Sequence, residues 1–173
     1  MSYLFRDQSW PQLHEALERK TLLILPVGTI EEHGPHLPVD TDARIAEAYG
    51  QGLAEALHHE IPLLLMDTIR YGYSMEIMKK WPGTIVVRSR VFMDYVFDVC
   101  RSVLEMGFSR LALLDCHGHH SGALNVVSRE LGHVAGLDDL DIASHNLTSQ
   151  MLEAGIHRTV TESIVDEVFS DRE

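Results

Sequence analysis

At 173 residues the chain is long enough for one domain, 1–173, with a sizeable core, and 45% hydrophobic against 23% charged residues is the balance of a soluble globular protein. The 26 acidic residues outnumber the 14 basic ones, and the formal net charge of −12 argues against the clustered Lys and Arg that nucleic acid or an anionic membrane surface requires. No run approaches the roughly 18 apolar residues of a membrane span, the opening MSYLFRDQSW lacks the basic-then-apolar order of a secretory signal, and Cys100 and Cys116 form no disulfide framework, so a reduced, cytoplasmic setting is expected.

Ser9 is placed to cap a helix with Pro11 in its first turn, continuing over 12–20. The apolar run 22–26 reads as a buried strand. Asp42 can start a helix over 43–57, with Ile45, Ala46, Tyr49, Leu53 and Leu57 on one face, although Gly50 and Gly52 weaken its middle. Residues 61–66 (IPLLLM) read as a second buried strand, 67–83 as irregular, and 84–87 as a short strand. An amphipathic helix follows over 91–106, with Gly107 where a C-cap glycine belongs. Strand 110–115, a helix over about 121–134 ending near Gly136, a strand at 141–144 and a helical pattern at 148–154 complete the series. Strands alternating with helices of this length imply βαβ units and a mostly parallel sheet with helices on both faces, an α/β fold of three layers.

In such a sheet the carboxyl ends of the strands share one edge, where ligands bind. The strand at 22–26 runs into GTIEEHGPHLPVDTD, which carries Glu31, Glu32, His33, His36, Asp40 and Asp42. The strand at 110–115 runs into Cys116-His117-Gly118-His119-His120. Carboxylates and imidazoles at strand ends build cores poorly and hold divalent metal well. Glu31 and His33, two residues apart, project to one side of an extended segment. Asp42, at a helix start, has two oxygens with which to bridge metals about 3.5–4 Å apart; the alternative is a polar loop in which Asp42 only caps the helix. His117 is the firmest ligand position of the second cluster. His119 either reaches a second metal or satisfies the backbone, and His120 either contacts substrate or supports the ligands from behind. Cys116 reads as packing rather than as a nucleophile. Tyr71, Tyr73, Ser74, Glu76, Trp81 and Pro82 fall in a loop expected at the same edge, as a substrate wall or as a cover for the sheet end.

LPVGTIEEHGPHLPVDTD resembles the signature of the creatininase (creatinine amidohydrolase) family, YGYSMEIMKKWPGT its Tyr-Gly-x-Ser…Pro-Gly-Thr segment, and GFSRLALLDCHGHHSGALN its Asn-Gly-His-Gly-Gly-Asn motif, in the same order across about residues 20–135. The resemblance implies a three-layer αβα fold, compact homo-oligomers that are often hexamers, and a small-molecule substrate. It also implies two divalent ions per subunit, of zinc, manganese or iron, held by Glu31, His33, a bridging Asp42 and His117. His119 stands where creatinine hydrolases have a ligating Glu. Four departures are visible: Asp115 replaces the motif's Asn, His119-His120 replaces its Gly-Asn, Ile77 stands where relatives often have His, and the usual His-Ala-Gly…Glu-Thr-Ser segment is lacking, His157 and Glu162-Ser163 being a faint echo. The C-terminal part of the family fold is thus expected to be shortened.

The function expected is hydrolysis of a non-peptide C–N bond, of cyclic amide or formamide type, by a binuclear metal-activated water. Glu32 or Glu76 would move the proton to the leaving nitrogen. Because ligating imidazoles must be neutral, activity is expected to fall below about pH 6. The alternatives are a degenerate, non-catalytic member serving as a binding or assembly subunit, and a metal-dependent hydrolase or isomerase of a sugar-derived ketone.

Overall fold

The computed structural model describes residues 2–135, side chains as far as 133, and the backbone of 141–146. The elements are α1 (Trp10–Glu18), β1 (Leu22–Val27), α2 (Thr41–Leu57), β2 (Leu63–Leu65), α3 (Ser89–Glu105), β3 (Arg110–Asp115), α4 (Ser121–Ala135) and β4 (Asp141–Asn146), with 3₁₀ turns at Phe5–Asp7 and Glu76–Lys80. The helical pattern at 148–154, the stop near Gly136, and His157 with Glu162-Ser163 lie outside the described residues.

The four strands pair in parallel in the order β2-β1-β3-β4. A parallel crossover is right-handed, so its direction across the sheet decides which face its helix covers. From β1 to β2 the chain moves one way; from β2 to β3 and from β3 to β4 it moves the other. Accordingly α2 covers one face, while α3 and α4 share the opposite one. Alternate strand residues separate into the two cores. Leu23, Leu25, Val27, Leu111 and Leu113 pack with Phe92, Val96, Cys100 and Val103 of α3 and Leu124, Val127 and Leu131 of α4. Leu22, Ile24, Ala112 and Leu114 pack with Ala46, Leu53 and Ala54 of α2. All six residues of β1 and all six of β3 are buried, as a strand covered on both faces requires.

The α/β architecture expected from the sequence is therefore present, with differences at the ends of elements. At α1 the Ser9 N–H donates to Gln12 Oε1 at 2.8 Å, which fastens the first turn. The helix α2 passes unbroken through Gly50, where an added Cβ would lie 2.8 Å from Pro26 Cγ. It begins at Thr41, so Asp42 sits inside the first turn rather than at the cap. The helix α3 begins at Ser89, two residues before the hydrophobic stripe announces it. The run at 61–66 contributes only Leu63–Leu65 to the sheet. The strand expected at 84–87 is absent. Only a Tyr73↔Val87 bridge forms, because the segment is drawn to the loop after β1: Ile85 N–H donates to Ile30 O at 3.0 Å and Glu32 N–H to Thr84 Oγ1 at 3.1 Å.

Candidate metal centre

The sheet order reverses between β1 and β3, and the loops leaving those two strands part there, which opens the crevice where α/β sheets bind ligands. At the end of β1 the backbone approaches α2 very closely. A Cβ on Gly28 would stand 2.6 Å from Ala43 Cα and 2.7 Å from Ala43 N, so only glycine fits. That contact brings the first turn of α2, and Asp42 with it, over the strand end. The intervening loop is closed by Glu31 N–H donating to Val39 O at 2.9 Å. At the end of β3 the Asp115 carboxylate accepts the N–H of His117 at 3.1 Å, an Asx-type turn that ends the strand. His120 N–H then donates to His117 O at 3.1 Å and α4 begins at Ser121.

Asp42 lies between two imidazoles: Oδ2 is 2.8 Å from His117 Nδ1 and Oδ1 is 3.1 Å from His33 Nε2. Glu31, Asp42 and His117 are buried, His33 is partly so, and His119 is the most exposed of the five. His117 Nε2 faces Glu31 Oε2 at 3.7 Å and His119 Nδ1 at 3.1 Å. Glu31 Oε2 has no hydrogen-bond partner among the described residues. Donor atoms of Glu31, His117 and His119 all lie within 4.8 Å of one another.

His33 Nδ1 is 2.9 Å from Glu31 O, and a carbonyl only accepts, so Nδ1 carries the proton. In a neutral ring Nε2 then presents a lone pair to Asp42 Oδ1, itself an acceptor. A cation, either a proton or a metal ion, is needed between them. The proton version shows in His33, whose pKa is raised: burial pulls it down, but the Glu31 carbonyl and the Asp42 carboxylate outweigh that. The second place is similar. If His117 donates through Nδ1 to Asp42, its Nε2 lone pair, His119 Nδ1 and the unpartnered Glu31 oxygen converge on one point. An orphaned buried carboxylate oxygen beside two imidazole nitrogens is a donor set that fits a divalent cation. The carboxylate–imidazole contact at Asp42 is also the arrangement that orients a metal-binding His from behind. Asp42 thus stands between the two imidazoles, with its Oδ2 already bonded to His117.

The remaining sequence-picked residues fall elsewhere. Glu32 is partly exposed, with Oε2 accepting the Gly34 N–H at 2.9 Å. Glu76 is exposed and paired with Lys79 at 2.6 Å. His36 is exposed in the same loop. His120 corrects one expectation. It is fully buried, stacked on Phe92 at 4.3 Å and bonded through Nδ1 to Asp115, so it stands behind His117 rather than where substrate would touch it. The signal was available: His120, just ahead of α4, continues the buried stripe of Leu124, Val127 and Leu131. Of the loop aromatics, Tyr71 and Trp81 are exposed, while Ser74 is buried beside Thr29 at 3.4 Å. Both thiols are buried. Burial pushes Cys100 up to about 12, and burial with Asp115 and Asp42 nearby pushes Cys116 up as well, which agrees with packing roles. A groove of about 470 Å³ lined by Tyr71, Val87, Val91 and Tyr95 among others includes none of the ligand-type residues. Among the described residues no helix is long and apolar enough to cross a membrane.

Residues 6–165 match the family model for creatininase, creatinine amidohydrolase. The chain is 31% identical over 114 residues to a 3-dehydro-scyllo-inosose hydrolase of Thermotoga maritima, covering 66% of this chain and 35% of that protein. It is 35% identical over 108 residues to a mycofactocin precursor peptide peptidase of Mycobacterium tuberculosis, covering 59% and 42%. It is 29% identical over 131 residues to a creatinine amidohydrolase of Pseudomonas putida, covering 70% and 48%. The chain therefore spans between about a third and a half of these relatives. A solved structure of creatininase with Mn superposes with a TM-score of 0.76 at 20% identity, covering 100% of this chain and 66% of that one, a likeness of fold.

Proposed function

This chain belongs to the creatininase family, and from that premise we propose that it is a metal-dependent hydrolase that cleaves a C–N bond next to a carbonyl, of cyclic amide or formamide type, in a small-molecule substrate. The observation that carries this reading is the convergence of His117 Nε2, His119 Nδ1 and the otherwise unpartnered Glu31 Oε2 on one point. In this reading Glu31, His117 and His119 hold one divalent ion, of zinc, manganese or iron. His33 with Asp42 Oδ1 contributes to a second. Zn–Zn and Mn forms are known among the structures this chain resembles. A divalent ion so held polarises a carbonyl and lowers the pKa of water.

The chain's own residues have separate tasks. Asp42 keeps His117 in the tautomer whose Nε2 lone pair faces Glu31 and His119, and the Glu31 carbonyl holds His33 with its Nε2 lone pair toward Asp42. Glu32 is the better of the two proposed proton carriers. It adjoins Glu31 and is anchored at its backbone by Thr84 and at its carboxylate by Gly34, whereas Glu76 is committed to Lys79 at the surface. A homo-oligomer, with neighbours completing the substrate wall, belongs to the same reading. A second reading, hydrolysis of a sugar-derived ketone, is favoured by the 31% identity to the inosose hydrolase.

Metal analysis of protein purified without a chelating tag is the first test, followed by assay of lactams, formamides, short peptides and inososes with and without EDTA. At least one ion per chain and EDTA-sensitive turnover of an amide substrate are expected. Less than one ion per chain, unimproved by added zinc or manganese, overturns the reading.

A further inference from the structure

A fully buried polar pair lies behind the candidate ligands. Asp115 and His120 are each 0% exposed. One carboxylate oxygen, Asp115 Oδ1, accepts both the backbone N–H of His117 at 3.1 Å and His120 Nδ1–H at 3.0 Å. The His120 ring is then held on two sides. It stacks on Phe92 of α3, with centroids 4.3 Å apart and planes 25° apart, and it meets the ring of His117 edge-on, with centroids 4.7 Å apart at 69°. The loop after β2 closes over it: a Cβ on Gly72 would lie 2.3 Å from both His120 Cε1 and Nε2. His120 Nε2 has no hydrogen-bond partner among the described residues. Its orientation is therefore set by Asp115, Phe92 and the absence of a side chain at position 72.

We infer that Asp115 and His120 form a positioning pair for His117, Asp115 fixing its backbone and His120 fixing its ring against the crevice. The inference rests on His117 being a metal ligand, as proposed above. The physical argument is one of freedom. An imidazole at a strand end can rotate about two side-chain torsions, and each degree of misplacement weakens ligation. Here one oxygen ties the strand-end turn to a buried ring, and that ring limits the tilt of His117. A buried, neutral-looking core contact between a His and a Phe would need no carboxylate. A buried carboxylate accepting from both the ligand's backbone and the ring beside it is expensive unless it organises something. Support groups of this kind are commonly worth about 10- to 100-fold in metal affinity.

Cobalt chloride provides the probe, because the visible bands of Co(II) respond to ligand number and symmetry. Metal-stripped full-length protein is titrated by absorbance, with near-ultraviolet circular dichroism checking that each variant is folded. His120→Leu keeps the bulk and removes the donor; Co(II) should bind about 10- to 100-fold more weakly, with altered bands. His120→Asn, whose amide N–H stands where Nδ1–H did but which lacks the ring that meets His117, should recover part of the affinity that His120→Leu loses, a partial rescue that a merely space-filling role does not give. If His120→Leu does not fold, Phe92→Leu removes the ring's backing without touching either hydrogen bond, and weakening in the same direction is expected. A folded His120→Leu or Phe92→Leu with the parent's affinity and spectrum, while His117→Ala loses Co(II), overturns the positioning pair and leaves the metal reading standing. A parent that binds no Co(II), like His117→Ala, overturns the metal reading and the pair with it.

Discussion

Replacing Glu31 by Gln should stabilise the metal-free protein and abolish its response to metal. The Glu31 side chain is 8% exposed, its Oε2 has no hydrogen-bond partner among the described residues, and His117 Nε2 is 3.7 Å away. A buried polar atom left unsatisfied costs about 1–3 kcal/mol, and more when charged. Gln keeps the shape, removes the charge and supplies an N–H₂ that donates toward His117 or His119. The gain without metal is therefore about 1–3 kcal/mol. For a chain of 173 residues each kcal/mol moves the melting temperature by about 2–4 °C. A rise of about 2–12 °C in EDTA follows. With zinc or manganese at about a thousandfold excess over the parent's dissociation constant, the parent gains about 4.1 kcal/mol and the variant, lacking a donor, gains little. The melting order of the two proteins should thus invert between EDTA and metal, which differential scanning calorimetry reads directly. A variant that melts below the parent in EDTA, or that shows the parent's full metal-dependent shift, refutes the assignment of Glu31 as a donor held in place for a cation.

Gly72→Ala forces a Cβ to within 2.3 Å of His120 and 2.7 Å of Gly28 O, and should cost about 1–3 kcal/mol or more in urea unfolding; a neutral result would mean the loop lies farther from His120 than the structure has it. In the metal-free protein the raised pKa of His33 makes its pairing with Asp42 stabilising below the ordinary value of 6.5, and that contribution is lost as pH rises through the raised value. The stability of the parent minus that of His33→Gln, measured in EDTA, should therefore decline from about pH 6 upward, and a difference that grows with pH would contradict the contact. Cys100 and Cys116, both buried with thiols held in the neutral form, should react with Ellman's reagent only after denaturation; rapid titration of Cys116 in the native protein would place it at the site after all.

How much of this was legible in the sequence depended on whether the signal was local. The runs LLILPV and RLALLD are apolar on both alternations, and buried parallel strands have no other sequence form, so β1 and β3 were readable almost to the residue. The short β2 was overextended because Pro62 and Met66 flank it with the same apolar character. The false strand at 84–87 had correct β propensity, but its backbone groups were taken by the loop after β1, a partner that propensity does not see. At the site, residue types and strand-end positions pointed to Glu31, His33, Asp42 and His117 and left His119 open; the structure brings all five into one crevice. What spacing along the chain did not convey was rotation. His120 is next to His119 in sequence, but in the turn that leads into α4 it faces the core while His119 stays exposed. Asp115 was visible only as a departure from a motif; its part in turning the chain needed the i to i+2 contact to be seen.

The site's two halves are joined by packing as much as by chemistry, and the consequence bears on how it tolerates change. Asp42 reaches His33 and His117 because α2 starts directly over the end of β1, with no atom to spare between Gly28 and Ala43. The same helix lies against Pro26 and Leu65 through Gly50, so its axis has little room to shift. Enlarging either glycine therefore moves Asp42, and a shift of one ångström turns a 2.8 Å contact into no hydrogen bond. His117 is fixed in the same way from the other side, by Asp115, His120 and Phe92. Core substitutions at Gly28, Gly50 or Phe92, none of which is a candidate ligand, should consequently weaken metal binding out of proportion to the stability they cost. Surface substitutions such as Glu76→Gln should change neither.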